Sequence, residues 1–113
     1  MMSQLLDIDT LNTLKDVIGD DLKEIIDSFL QLLPGQLDAI ETSARSGDSA
    51  NLRLHSHTLK GSAANVGAIK LSEISYMVES LAKNGEASKA GTHMSDLRMT
   101  ANNTADALRR FMV

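Results

Sequence analysis

Apolar residues return every three or four positions through most of this chain, which is the spacing of helices with one buried face. Leu11, Leu14, Val17 and Ile18 share the inward face of a short first helix that Asp9 or Thr10 caps and Gly19 stops. Residues 1–7 ahead of it read as a frayed tail. A long second helix opens at Asp20 or Asp21, with Leu22, Ile25, Ile26, Phe29, Leu33, Leu37, Ile40 and Ala44 as its stripe. Pro34 falls inside that run and should bend it. The stripe keeps its phase across the proline, so one helix is expected, ending at Ser46-Gly47-Asp48.

The third helix runs from about Ser49 to Val66, with Leu52, His55, Leu59, Ala63 and Val66 in one row and Gly67 as its cap. A fourth covers about Ile69 to Asn84, turning Leu71, Ile74, Met77, Val78 and Leu81 inward. The last begins between Glu86 and Ser95 and points Leu97, Ala101, Thr104, Leu108 and Phe111 to the core. These elements predict an all-α fold: an antiparallel up-and-down four-helix bundle with the short first helix over one end.

Composition narrows the picture. A chain of 113 residues suits one domain spanning 1–113, with a modest core. Aromatics are 3% and tryptophan is absent, so that core is aliphatic, and most methionines are expected as core filler or at the chain ends. Without cysteine there is no disulfide, thiol catalysis or thiolate zinc site. A formal net charge of −4 argues against nucleic acid as a partner. No apolar run reaches the ~20 residues of a membrane span and no signal peptide is visible, so a cytoplasmic, membrane-free monomer is expected. The Met1-Met2 start leans towards a free-standing protein.

Candidate chemistry centres on two histidines of the third helix. His55 lies in the row of core residues, where a buried or half-buried neutral ring held by one hydrogen bond is expected. His57 points roughly 170° away from that row, into solvent. Around it on the outer face stand Arg53 and Gly61, one turn before and after, with Lys60 three on and Ala64 seven on. An interior helix glycine costs roughly 1 kcal/mol against alanine, so Gly61 needs a local reason. Access supplies one: Gly61 and Ala64 leave nothing tall beside the ring, while Lys60 and Arg53 suit a group that becomes anionic. His93 is read as solvated, and the acidic residues Asp16, Asp20, Asp21, Glu24 and Asp27 as a solvated face.

The string His57-Thr58-Leu59-Lys60-Gly61, followed by Gly67, resembles the His-x-Leu-Lys-Gly signature and second glycine of histidine-containing phosphotransfer (HPt) domains. The resemblance implies that His57 accepts a phosphoryl group from a receiver-domain aspartate and passes it to another. It places the family lysine and glycines on Lys60, Gly61 and Gly67 and implies the same bundle. The partners would be response-regulator receiver domains, of a hybrid sensor kinase and of a downstream regulator. The chain itself would need no cofactor, with Mg2+ held by the receiver. Ser56 departs from the pattern, since the family often has a small apolar residue before the histidine.

Rival readings lack parts. His55 and His57 are two apart on different faces, whereas helical chelation needs three or four, so a metal site is set aside. No Walker-type or kinase glycine-rich loop is present, so a carrier without ATP binding or kinase activity is expected. A hydrolase using His57 as general base needs a carboxylate orienter and an enclosed pocket, and an exposed helix face is expected to offer neither. The alternative in another class is a helical interaction module without phosphoryl chemistry, against which the presence of His57, Lys60 and Gly61 counts.

Overall fold

The computed structural model describes residues 4–112, and every element in it is helical: α1 (Ile8–Ile18), α2 (Asp21–Ser46), α3 (Ser49–Asn65), α4 (Ile69–Lys83), α5 (Ala87–Ala90) and α6 (Met94–Met112). A 3-10 turn, Gly91–His93, joins the last two, so the C-terminal helical stretch starts at the early end of its expected range. At 1.5 Å per residue, the 26 residues of α2 span about 39 Å. That nearly matches the molecule's longest dimension, 42 Å, so α2 sets its length. The helix is continuous through Pro34, as the unbroken phase of its stripe requires.

Helices α2, α3, α4 and α6 form the bundle, with α3 packed most closely on α4 and then on α2. The core is aliphatic apart from Phe29, and Leu52, Leu59, Ala63 and Val66 carry α3 into it. The stops between helices are chemical. Gly47 takes a left-handed conformation after α2, which only glycine adopts without strain, and Asp48 then caps α3 by accepting from the Asn51 N–H.

The N-terminal stretch corrects the expected tail, of which Met1–Ser3 lie outside the described residues. Leu6 is buried, and the Asp7 N–H donates to the Gly67 carbonyl at 2.8 Å. Asp7, not Asp9 or Thr10, caps α1, accepting from the Thr10 backbone and hydroxyl. Three acceptor side chains compete for that role in sequence, and the segment's anchoring to Gly67 decides between them. Gly67 has φ +69°, and a Cβ there would stand 3.2 Å from the Asp7 carbonyl oxygen and from Leu11. This glycine lets α1 close over the end of the α3–α4 hairpin.

Some apolar positions expected inside are outside. Val17 is three-quarters exposed, and Ile25 and Met77 are also exposed. Periodicity marks which face can be buried, not how much of it finds a partner, and apolar atoms still make up much of any protein surface. His93 is half-buried rather than solvated, because it falls in the turn where the chain folds back into α6.

Candidate functional site

Helix α3 presents its two histidines differently. Ser56, not His55, fills the core row: its side chain is fully buried, and its Oγ donates to the Leu52 carbonyl at 2.6 Å. A small hydroxyl that satisfies itself on its own helix can occupy an apolar row at little cost. His55 is thereby displaced to a half-buried position. His57 stands out, its side chain 63% exposed.

A residue that the sequence reading did not single out completes the site. Glu79 of α4 reaches across to α3 with both carboxylate oxygens: Oε2 lies 2.7 Å from His57 Nδ1, and Oε1 lies 2.7 Å from Lys60 Nζ. The carboxylate is only 14% exposed, and α3 and α4 pack against each other along this seam. The seam is fixed beside Lys60 by the Ser72 hydroxyl, which donates to the Lys60 carbonyl at 3.0 Å. Burial works against the Glu79 charge. Hydrogen bonds and charge from Lys60 and His57 outweigh it and hold the carboxyl below the ordinary carboxylate range. Lys60 Nζ also sits 5.4 Å from the centre of the Tyr76 ring, so the ammonium is held between a carboxylate and an aromatic face.

With Glu79 ionised, a 2.7 Å contact to Nδ1 needs a proton on that nitrogen. Nδ1–H donates to Glu79, and in the neutral ring the lone pair is then on Nε2, on a side chain that is largely exposed. The ring borders an open pocket of about 320 Å3 lined by Ala50, Arg53, Leu54 and Glu79. A Cβ placed at Gly61 would meet nothing within 4 Å, and Ala64 is exposed. Side chains on a helix lean towards its N-terminus, so a longer residue at position 61 would lie over the turn that carries His57.

Of the residues singled out from sequence, Arg53 lines the open pocket with His57, Lys60 is joined to His57 through Glu79, and Gly61 is exposed one turn on, whereas Ala64 lines a second pocket with Lys60 and Gly67 further along α3. Gly67 works at the end of α3, as the hinge for α1. Lys60 is tied into an ion pair rather than free beside the ring. Arg53 makes no ion pair among the described residues and lies next to the ring in the open pocket. The expectation that no carboxylate would orient His57 is corrected by Glu79, which is 22 positions away and is brought there by the hairpin. The pocket is open, so the enclosure a hydrolase needs is still missing. Among the described residues, no three metal-ligating side chains cluster.

Comparison with known proteins bears on the fold and the family. The solved structure of histidine-containing phosphotransfer protein B (HptB) from Pseudomonas aeruginosa PAO1 superposes with a TM-score of 0.89 over 96% of this chain and 95% of that one. Identity is 23%, so that likeness speaks for the fold. The phosphorelay intermediate protein rdeA of Dictyostelium discoideum is 29% identical over 75 residues, which is 66% of this chain and 30% of that protein's length. The family model of the Hpt domain matches residues 24–110, from α2 to the last turns of α6. Matched over most of its length by that family model, and sharing the bundle of the solved HptB structure, the chain belongs to the Hpt domain family.

Proposed function

We propose that this chain is a phosphorelay carrier in which His57 Nε2 takes a phosphoryl group from a receiver-domain aspartate and gives it to another. The observation that carries the reading is the Nδ1–Glu79 hydrogen bond, which orients the ring and leaves Nε2 free on an exposed helix face, one turn from the open space at Gly61. Neutral imidazole is a competent nucleophile. In the forward step the Nε2 lone pair attacks phosphorus, an N–P bond forms, and the O–P bond breaks with its electron pair left on the aspartate. Phosphoryl transfer rests on positioning and charge stabilisation, and this chain contributes the fixed ring and the cations Lys60 and Arg53.

The receiver is expected to pack across Gly61 and Ala64 and onto α2, where Ile25 and Leu32 are exposed beside a groove floored by Phe29. Magnesium belongs to the receiver on this reading, and the carrier brings no cofactor of its own. It acts as one monomeric unit in the cytoplasm, without kinase activity, between the receiver of a hybrid sensor kinase and that of a downstream regulator. No helix among the described residues is long and apolar enough to cross a membrane. The test is transfer from a phosphorylated receiver to the wild type and to His57→Gln. Label on the wild type alone, as an acid-labile and alkali-stable adduct, is the expected result.

A further inference from the structure

The donor half of the relay poses a problem that the acceptor half does not. When Nε2 carries phosphorus, the ring either keeps its Nδ1 proton and is a phosphoimidazolium, or loses it and is neutral. Only the first releases neutral imidazole when the N–P bond breaks. The second would have to expel an imidazolate, a far stronger base and a poorer leaving group. We infer that Glu79 is a positioning residue for this second step: its carboxylate, 2.7 Å from Nδ1, keeps the proton on the phosphorylated ring and so keeps the phosphoryl group transferable. This inference rests on the relay reading of His57.

The geometry argues for it directly. Without a proton between them, the Nδ1 lone pair and a carboxylate oxygen would repel at that distance, so losing the proton breaks the contact. Glu79 has little freedom to withdraw, because it is 14% exposed and its other oxygen is held by Lys60. The proton therefore stays on Nδ1 through the whole cycle. An incoming receiver carboxylate attacks phosphorus, the N–P pair returns to Nε2, and the ring leaves neutral with Nδ1–H still bonded to Glu79.

The other groups around the ring do not supply this. From α3, Arg53 and Lys60 are cations, which oppose a charged ring. From α4, Tyr76 lies behind Lys60, and Glu79 is the anion in contact. On the α2 side, the groove beside α3 is lined by Ile25, Ser28, Phe29, Leu32 and Gln36, none of them titratable. Glutamine at position 79 could accept from Nδ1–H or, by turning its amide, donate to bare Nδ1, so it would hold the ring in place without favouring the proton.

The experiment phosphorylates the full chain with phosphoramidate, which needs no receiver, and follows Nδ1 by 15N NMR against pH. The same samples are then assayed for phosphoryl transfer to a receiver at each pH. In Glu79→Gln the midpoint for loss of the Nδ1 proton should fall by at least one pH unit. On the alkaline side that is about a tenfold drop in the protonated fraction, and transfer should slow by the same factor. Below both midpoints the two proteins should transfer alike. Lys60→Gln, which leaves Glu79 to the ring alone, should move the midpoint the other way and gives a second reading should Glu79→Gln fold poorly. Equal midpoints in wild type and Glu79→Gln, or a lowered one in Lys60→Gln, would overturn the inference while leaving receiver labelling of His57 intact. Separated midpoints with no transfer to or from any receiver would uphold the hold of Glu79 on the Nδ1 proton and overturn the relay, and with it the part of Glu79 in transfer.

Discussion

Gly61 offers the sharpest separation of stability from function. It lies inside α3, its φ is not positive, and a Cβ there would touch nothing within 4 Å. Nothing in the fold therefore requires glycine, and Gly61→Ala should stabilise by the helix-propensity difference, about 0.8–1.0 kcal/mol. Unfolding entropy of roughly 2.1 cal/mol/K per residue gives a chain of 113 residues about 0.24 kcal/mol/K. The melting temperature should therefore rise by roughly 3–4 °C, with an unchanged urea m-value. Leucine has nearly the same propensity, so Gly61→Leu should keep most of the gain. Its side chain leans back over the turn of His57, where it blocks the approach to Nε2, and transfer from a phosphorylated receiver should fall at least about tenfold, or 1.4 kcal/mol. Thermal denaturation and single-turnover transfer on the same samples make the test. A loss of stability in Gly61→Ala, or full transfer by Gly61→Leu, would show that the glycine is not there for access.

Further expectations concern the fold and its charges. Gly67→Ala combines a left-handed φ of +69° with contacts of 3.2 Å to Asp7 and Leu11, and should cost about 2–3 kcal/mol in urea denaturation, where an unchanged midpoint would contradict the anchoring of α1. Leu59→Ala removes a fully buried side chain from α3 and should cost about 2–5 kcal/mol by the same measure. Asp7, Asp48 and Glu79 all have carboxyls held below their ordinary range, Asp7 chiefly by the Thr10 hydroxyl and Asp48 by the Asn51 N–H; Glu79 is held there by Lys60 and His57 against the opposing effect of burial. Such groups stabilise the fold above their unfolded values and lose that contribution as pH falls through the folded ones. The urea midpoint should therefore hold to about pH 4 and then drop, less steeply in Asp48→Asn. A midpoint independent of pH in acid would refute those assignments.

The outward direction of His57 was legible because α3 is regular and seventeen residues long, so a wheel drawn at a constant angle holds its phase. The same wheel gave His55 the core position that Ser56 fills, with His55 half-buried beside it, since a serine that bonds to its own helix looks polar in sequence and behaves as a small core residue. Glu79 was beyond reach for a different reason. Its meeting with His57 depends on how α4 folds back on α3, and no spacing along one helix encodes that. The N-terminal segment was hidden similarly, because its partner, the Gly67 carbonyl, lies on the far side of three helices in sequence. Exposed Val17 and Ile25 show the limit of periodicity where a helix end or face has nothing packed against it.

Phosphoryl transfer from a phosphorylated receiver domain to this chain, with wild type, His57→Gln and His55→Gln side by side, tests the central claim most directly. The account predicts an acid-labile, alkali-stable label on wild type and His55→Gln, and none on His57→Gln. Label that survives in His57→Gln would move the site to another histidine. No label on any of the three, across several receivers, would contradict the relay and leave a binding module built on the same bundle.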